Sequence, residues 1–488
     1  MNIISKIVNR LFNSESDSKT TRPIFVHVAT FTEAPLLAIT ANQLMSKNEF
    51  IIFVLLDNNE NLKARIKSFI KNVDVQFIYL NSDNDQDTEI KIDEVQFKKI
   101  ENKYSKYDLD LNTLRALYLI QLQEIARAKK ILKLHKPKLL IVAEDGISAN
   151  TPLIKTVLSE SIPVLDIPYG YGSYLDLENA LAQKNQNEEL YNSKSGAGLA
   201  VKEFFPQWIK KGTFEGAILL NPYFILAREE LGISVHNPWT VHGGSASRLA
   251  AESKAMYAHY LREGIPSEKI VLTGTPYCDY IRASINSNKS IQNHSANTLV
   301  VKDKQRSILV CWPPSYHSER AQLCEFDNYQ DLTASVLNFL AQLKNVKVTL
   351  SLHPAVQPEF KEFVAGFNLN ISESYVLDEI TQHDIYISCF SSTIRWAIAL
   401  GKPVVNYDFY KFGINEYKDV PSVLNVTAQN DFEKLVSRLV EDNQFYEETC
   451  LNQKKIASDW GILDGSNIER IYGLINQLSA EQGAVVSF

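Results

Sequence analysis

Short apolar runs rich in β-branched residues alternate with helix-patterned segments along most of this chain. Residues 24–30 form the first such run, a helical pattern follows to Leu44, and residues 50–56 form a second apolar run ending at Asp57. Strand, helix and strand at this spacing predict the opening of a doubly wound parallel sheet. Residues 110–134 then predict a long helix, 138–143 a strand, 152–160 a helix and 162–167 another strand. The stretch 178–212 breaks the rhythm: it is polar, then glycine-containing, then aromatic around Phe204 to Trp208. It is expected to be an insertion over the cleft that serves as an acceptor loop. Alternation resumes with an expected helix at 246–263 and a strand at 269–274.

Residues 284–304 are rich in Asn, Ser and Lys and predict a linker. A second α/β series follows, with strands at 307–312, 347–352, 384–388 and 403–407 and a helix at 331–342. A chain of 488 residues is too long for one ordinary core, so two α/β domains are expected. The expected divisions are an amphipathic helix and polar linker (1–22), an N-terminal Rossmann-like domain that takes the acceptor (23–283) and the linker (284–304). A C-terminal Rossmann-like domain that takes the nucleotide-sugar (305–455) and a helix returning to the first domain (456–488) complete the chain.

With 45% apolar and 22% charged residues the chain has the balance of a globular protein, not of a disordered one. Its net charge of −7 argues against nucleic acid as a partner and leaves room for a local phosphate pocket. The five cysteines, Cys278, Cys311, Cys324, Cys389 and Cys450, form no Cys-x-x-Cys pair and have no histidine at ligand spacing. That predicts a reduced, cytoplasmic protein without structural zinc. No stretch approaches the roughly 20 apolar residues that cross a bilayer. At the N-terminus, Ile3, Ile4, Ile7, Val8, Leu11 and Phe12 recur at helical spacing beside Lys6 and Arg10. Two placements fit: a helix docked on its own protein, or a peripheral anchor on the inner face of the cytoplasmic membrane.

Open α/β sheets bind ligands beyond the carboxyl ends of their strands, so residues just after strands are the informative ones. Glu144-Asp145-Gly146 follows the strand at 138–143. Adjacent carboxylates repel, which raises one pKa and suits a general base, and the glycine lets the backbone turn sharply. The plainer alternative is that one acid caps the next helix or faces water. His353-Pro354 ends the strand at 347–352; the histidine can meet a phosphate leaving group, and the proline is expected to open the next element. Ser391-Ser392-Thr393 leads into a helix, where hydroxyls and backbone N–H groups suit a phosphate, although a simple helix cap uses the same residue types.

Taken in order, these three motifs resemble the acidic-glycine, His-Pro and Ser-Ser/Thr motifs of bacterial sialyltransferases and polysialyltransferases. Each is two or three residues long, so the resemblance rests on the set and its order. Residues 251–276 are also similar to the last helix and strand of the N-terminal domain in UDP-GlcNAc 2-epimerases and glycerol-phosphate transferases. The resemblance implies an α/β fold of the GT-B type, with two Rossmann-like domains facing each other across a cleft. It implies a general base among Glu144 and Asp145, with Asp145 preferred, and a nucleotide-phosphate site of His353, Pro354, Ser391, Ser392 and Thr393. Gly146, His242 and Arg248 fall on the substrate side.

The implied donor is a CMP-activated nonulosonic or ulosonic acid, either sialic-acid-like or Kdo. It would pass without metal or cofactor to a glycan acceptor in surface polysaccharide or glycoconjugate synthesis. Three rivals stand beside this expectation. One is a GT-B transferase using a UDP-, GDP- or CDP-linked donor, and another is a non-catalytic glycan-binding or scaffold protein. The third is an epimerase, suggested by Val241-His242-Gly243-Gly244. The epimerase pattern, however, has His-Gly-Asp there, and it has Ser-Gly-Gly followed by paired glutamates where this chain has Ser391-Ser392-Thr393-Ile394-Arg395.

Overall fold

The computed structural model describes residues 22–71, 74–81, 90–170, 172, 174–295, 305–354, 356–413 and 416–485. The amphipathic segment expected at 1–22 lies outside the described residues except for Arg22. Strands β1 (Ile24–His27), β2 (Ile51–Leu55), β3 (Gln76–Tyr79), β4 (Leu139–Val142) and β5 (Val164–Asp166) open the chain. A small antiparallel pair, β6 (Tyr191–Asn192) and β7 (Ala217–Ile218), stands apart, and β8 (Arg248–Ala251) and β9 (Ile270–Leu272) follow. Seven of these form one parallel sheet in the order β3-β2-β1-β4-β5-β8-β9. Strands β1, β2 and β4 are buried at every position, as expected of a parallel sheet covered on both faces. Strand order reverses between β1 and β4, which opens a crevice beyond their carboxyl ends.

A second parallel sheet holds β10 (Arg306–Trp312), β11 (Val346–Leu352), β12 (Asn370–Ser372), β13 (Ile385–Ser388), β14 (Val404–Tyr407) and β15 (Val423–Val426). Its order, β12-β11-β10-β13-β14-β15, repeats the same reversal between β10 and β13. The molecule therefore has two Rossmann-like halves, and this α/β arrangement is the GT-B architecture.

Three stretches differ from the sequence-based expectation. Residues 246–263 are not one helix. Arg248–Ala251 forms β8 between β5 and β9, and Ser253 then caps a helix at Lys254–Arg262 by accepting the N–H of Met256 at 3.2 Å. Leu249, Ala250 and Ala251 suit a helix by propensity, but burial inside a parallel ladder overrides that preference. Residues 178–212 are not an open loop. Helices Tyr174–Gln186, Gly196–Phe204 and Pro222–Glu230 pack with Glu94–Lys103 and Leu111–His135 around a separate core containing Tyr104, Tyr118, Trp208 and Ile225. The expected linker at 284–304 begins as the second half of a helix, Pro276–Ser295.

The two halves share packing. Leu309, Tyr386 and Trp396 of the second half belong to the same buried cluster as β1, β2 and the helix Ala34–Met45 of the first. The last helix, Asn467–Val485, returns to the first half, where Ile471, Leu474 and Ile475 join that cluster. Asp279 holds its start by accepting the N–H groups of Asn467 (3.1 Å) and Ile468 (2.8 Å). Gly274, at φ +77°, passes so close to Asn467 that a Cβ would lie 1.7 Å from its Oδ1.

Among the described residues, one ion pair crosses between the halves in full burial: Arg395 donates to Glu252, and each side chain is 1% exposed. Arg395 also donates to the carbonyls of Tyr169 (3.1 Å) and Gly170 (3.4 Å), while the Tyr260 hydroxyl donates to Glu252 at 3.0 Å. Removing one partner leaves an uncompensated buried charge. Arg395→Met is therefore expected to lose about 3–5 kcal/mol, and Glu252→Leu/Arg395→Met to regain most of it. Denaturant unfolding of the two variants beside the parent checks this.

Candidate functional site

The crevice at the first sheet's strand reversal is lined by the residues just after β1 and β4. After β1, Thr30 and Glu33 form a reciprocal cap. The Thr30 hydroxyl donates to Glu33 at 3.0 Å and accepts the Glu33 N–H at 3.3 Å, while Glu33 also accepts the N–H of Ala29 at 3.0 Å. After β4 come Glu144, Asp145 and Gly146. The two acids, neighbours in sequence, have opposite environments. Asp145 is fully buried, and its carboxylate accepts the backbone N–H groups of Gly244 (3.0 Å), Ser245 (2.6 Å) and Ala246 (2.5 Å). Its oxygens are occupied in holding the loop 240–246 down, which does not fit the base role preferred for it from sequence.

Glu144 is half-buried. Burial, reinforced by the nearby carboxylates of Glu33 and Asp145 and opposed by His242, pushes its pKa up to about 7. Gly146 is required for a reason other than a sharp turn. A Cβ there would lie 2.4 Å from the Thr240 carbonyl oxygen and 2.5 Å from that of Val241, so the loop and the β4 end can touch only at a glycine.

His242 sits in that loop, buried, with Nδ1 3.0 Å from the carboxylate of Asp166 at the end of β5. Burial disfavours the His242 cation, but Asp166, Glu144 and Asp145 outweigh it and raise its pKa to about 9. His27, at the end of β1, bonds Val54 O through Nδ1 at 3.0 Å and leaves its buried Nε2 without a partner; burial lowers its pKa. Asp166, Glu33 and His27 were not singled out from sequence. The available signal was a charged residue inside an apolar run, as at Val164-Leu165-Asp166-Ile167. Arg248 is not brought to this cluster: it opens β8, opposite Leu165, and donates to the Ser247 carbonyl at 2.8 Å.

On the second sheet, His353 directly follows β11, half-buried, and its backbone N–H bonds Trp312 O at 3.1 Å. Burial lowers the imidazole pKa. Pro354 is exposed and does not open the next helix; Pro358 does, at Pro358–Ala365. Ser391, Ser392 and Thr393 follow β13 at the strand reversal of this sheet. The Ser391 hydroxyl pairs with that of Thr393 at 2.7 Å and accepts the Thr393 N–H at 3.3 Å, and Thr393 also meets the Tyr386 hydroxyl. Two of the three hydroxyls thus shape the turn, whereas Ser392 remains half-buried at its tip. Among the described residues, no group of three or more His, Cys, Asp or Glu is placed to hold a metal ion.

No protein-family model matches the sequence, and no curated protein matches it significantly. Solved structures do share its fold. UDP-GlcNAc 2-epimerase from Neisseria meningitidis, bound to UDP-GlcNAc, superposes with a TM-score of 0.52 at 15% identity, covering 93% of this chain and 100% of that one. The wall teichoic acid polymerase TagF, as a single-substitution variant with CDPG, gives 0.50 at 13% identity over 98% of this chain and 96% of its own. The calicheamicin glycosyltransferase CalG4 gives 0.50 at 10% identity over 94% and 98%. These likenesses establish the GT-B fold.

The close approaches around Asp145 and Gly146 set two expected outcomes. Asp145→Asn turns an amide toward backbone donors and is expected to destabilise the fold by about 3 kcal/mol. Gly146→Ala is expected to lower the melting temperature and displace residues 240–246. Thermal unfolding of both variants, with limited proteolysis of the loop, measures this.

Proposed function

We propose that the protein transfers a glycosyl unit from a nucleotide-activated donor to a glycan acceptor, with Glu144 as general base. The observation that carries this proposal is Glu144 itself: a half-buried carboxyl poised near neutral pH at the strand reversal of a GT-B first sheet. In the proposed step, Glu144 takes the acceptor hydroxyl proton as the oxygen attacks the anomeric carbon. The bond from that carbon to the donor phosphate breaks, and its electron pair leaves with the nucleotide. Ser392, with its hydroxyl and backbone N–H, and His353 would receive the phosphate; the His242 cation, held in place by Asp166, would limit how far the Glu144 pKa rises.

For the donor, the motif set supports a CMP-linked nonulosonic or ulosonic acid. A UDP- or CDP-linked donor is the second reading, supported by the fold shared with proteins whose structures hold UDP-GlcNAc or CDPG. An epimerase is less well supported. In the positions of that pattern's paired glutamates, Ile394 is a core residue and Arg395 is consumed by Glu252.

Thermal shifts against CMP, CDP, UDP, GDP and their sugar conjugates separate the donors, since a ligand at about 100 times its Kd stabilises by roughly 2.7 kcal/mol. With the preferred donor, Glu144→Gln is expected to lower kcat by about 10²- to 10⁴-fold while donor binding persists. A base must be unprotonated to act, so kcat of the parent is expected to rise with pH through about 7 and then level off. Full turnover by Glu144→Gln would remove Glu144 from the mechanism, and silence across the nucleotide panel would favour a non-catalytic protein.

A further inference from the structure

The carboxyl edge of the first sheet carries the site; its amino edge carries a different surface. The described chain begins there. Arg22 donates to the carbonyls of Lys136 (3.1 Å) and Pro137 (2.8 Å), the Lys138 N–H bonds Pro23 O at 2.9 Å, and the Ile24 N–H bonds Phe50 O at 2.8 Å. These bonds place Arg22, Phe50 and the end of the helix Leu111–His135 side by side. Lys129, Lys133 and Lys136 are exposed on and just beyond its last two turns. Lys138, by contrast, is paired with Glu49 at 2.6 Å. Phe50 and Leu134, 45% and 73% exposed, add apolar surface between the cations.

Lysines at a helix C-terminus complement its dipole, which accounts for Lys133 and Lys136. It does not account for Lys129 a further turn back, for Arg22, or for two large apolar side chains in water among them. Four cations, Arg22, Lys129, Lys133 and Lys136, thus stand close together around β1 and β4 on a chain of net charge −7, while the exposed acids of this edge, Asp74, Glu160 and Glu268, precede β3, β5 and β9. The 21 residues preceding Arg22 begin with six apolar residues at helical spacing beside Lys6 and Arg10, the same combination of cation and apolar side chain.

We propose that this amino edge, Arg22, Phe50, Lys129, Lys133, Leu134 and Lys136, docks on an anionic bilayer surface. Cations near a charged bilayer each strengthen binding by roughly five-fold, and the exposed Phe50 and Leu134 suit the headgroup boundary. Among the described residues no helix is long and apolar enough to cross a membrane. Docking by this edge holds the Glu144 crevice at the opposite end of the strands, open to the aqueous side.

The test is vesicle co-sedimentation of the full chain, using phosphatidylcholine alone or mixed with phosphatidylglycerol, at low and high salt. The parent is expected to sediment with the anionic vesicles and to be released by salt. Lys129→Gln/Lys133→Gln/Lys136→Gln is expected to weaken binding about a hundred-fold. Phe50→Ser/Leu134→Ser is expected to weaken it without changing the salt dependence, and Lys361→Gln on the second half to leave it unchanged. Unfolding midpoints equal to the parent's establish that the variants are folded. Three results would overturn the proposal: equal binding to neutral vesicles, a lysine variant that binds like the parent, or failure of the parent to sediment. In the last case, retention on a soluble polyanion, or a dimer lost in the lysine variant, would identify the occupant as a polymer or a second copy.

Discussion

The contact between Arg395 and Glu252 places a guanidinium and a carboxylate where water cannot reach either. Charges removed from water this completely are tolerated only when their remaining hydrogen-bonding groups are supplied by surroundings in fixed positions. Here the supply comes from Tyr260 on one side and the Tyr169 and Gly170 carbonyls on the other. Glu252 follows β8, the two carbonyls follow β5, and Arg395 lies two residues after the Ser391–Thr393 turn. Satisfying one ion pair therefore ties the turn of the second sheet to two strand ends of the first. The cost of desolvation makes this a registration device more than a source of stability, and the Arg395 Nε that has no partner agrees with that.

Beside this tie, the two adjacent acids after β4 divide two tasks. Asp145 faces inward to three backbone N–H groups and fixes the loop that brings His242 next to Asp166. Glu144 has no comparable set of donors: the His242 charge and one backbone N–H, that of Ser148, lower its pKa by less than burial raises it. A change of direction by one residue separates a structural carboxylate from one able to exchange a proton near neutral pH. The loop that Asp145 anchors also carries the His242 cation whose charge limits the rise at Glu144. The position and the proton affinity of the candidate base thus depend on the same backbone contacts.

Likeness of fold to an epimerase, a wall teichoic acid polymerase and the calicheamicin glycosyltransferase does not choose among their chemistries, because at 15%, 13% and 10% identity it speaks for the path of the backbone and not for the side chains at the strand ends. What distinguishes this chain lies in its own side chains at the strand ends. Arg395 is the clearest case: a charged residue at the start of the helix that follows the Ser391–Thr393 turn, whose guanidinium is buried against Glu252 in the interface between the halves.

The alternation of short apolar runs with helical patterns determined the doubly wound architecture, since buried parallel strands need uninterrupted apolar residues and crossovers need helices. The same pattern located Glu144, His353 and Ser391–Thr393, because residues that follow strands must stand at the sheet's carboxyl edge. It did not reveal β8, whose Leu249, Ala250 and Ala251 favour a helix until two neighbouring strands supply ladder bonds. Nor did it reveal that residues 174–230 pack into a core of their own, because that core closes only against the distant helices at 94–103 and 111–135. The choice between Glu144 and Asp145 was likewise beyond it. Three N–H groups roughly 100 residues away select Asp145 as the anchor, and only the folded chain brings them within hydrogen-bonding distance.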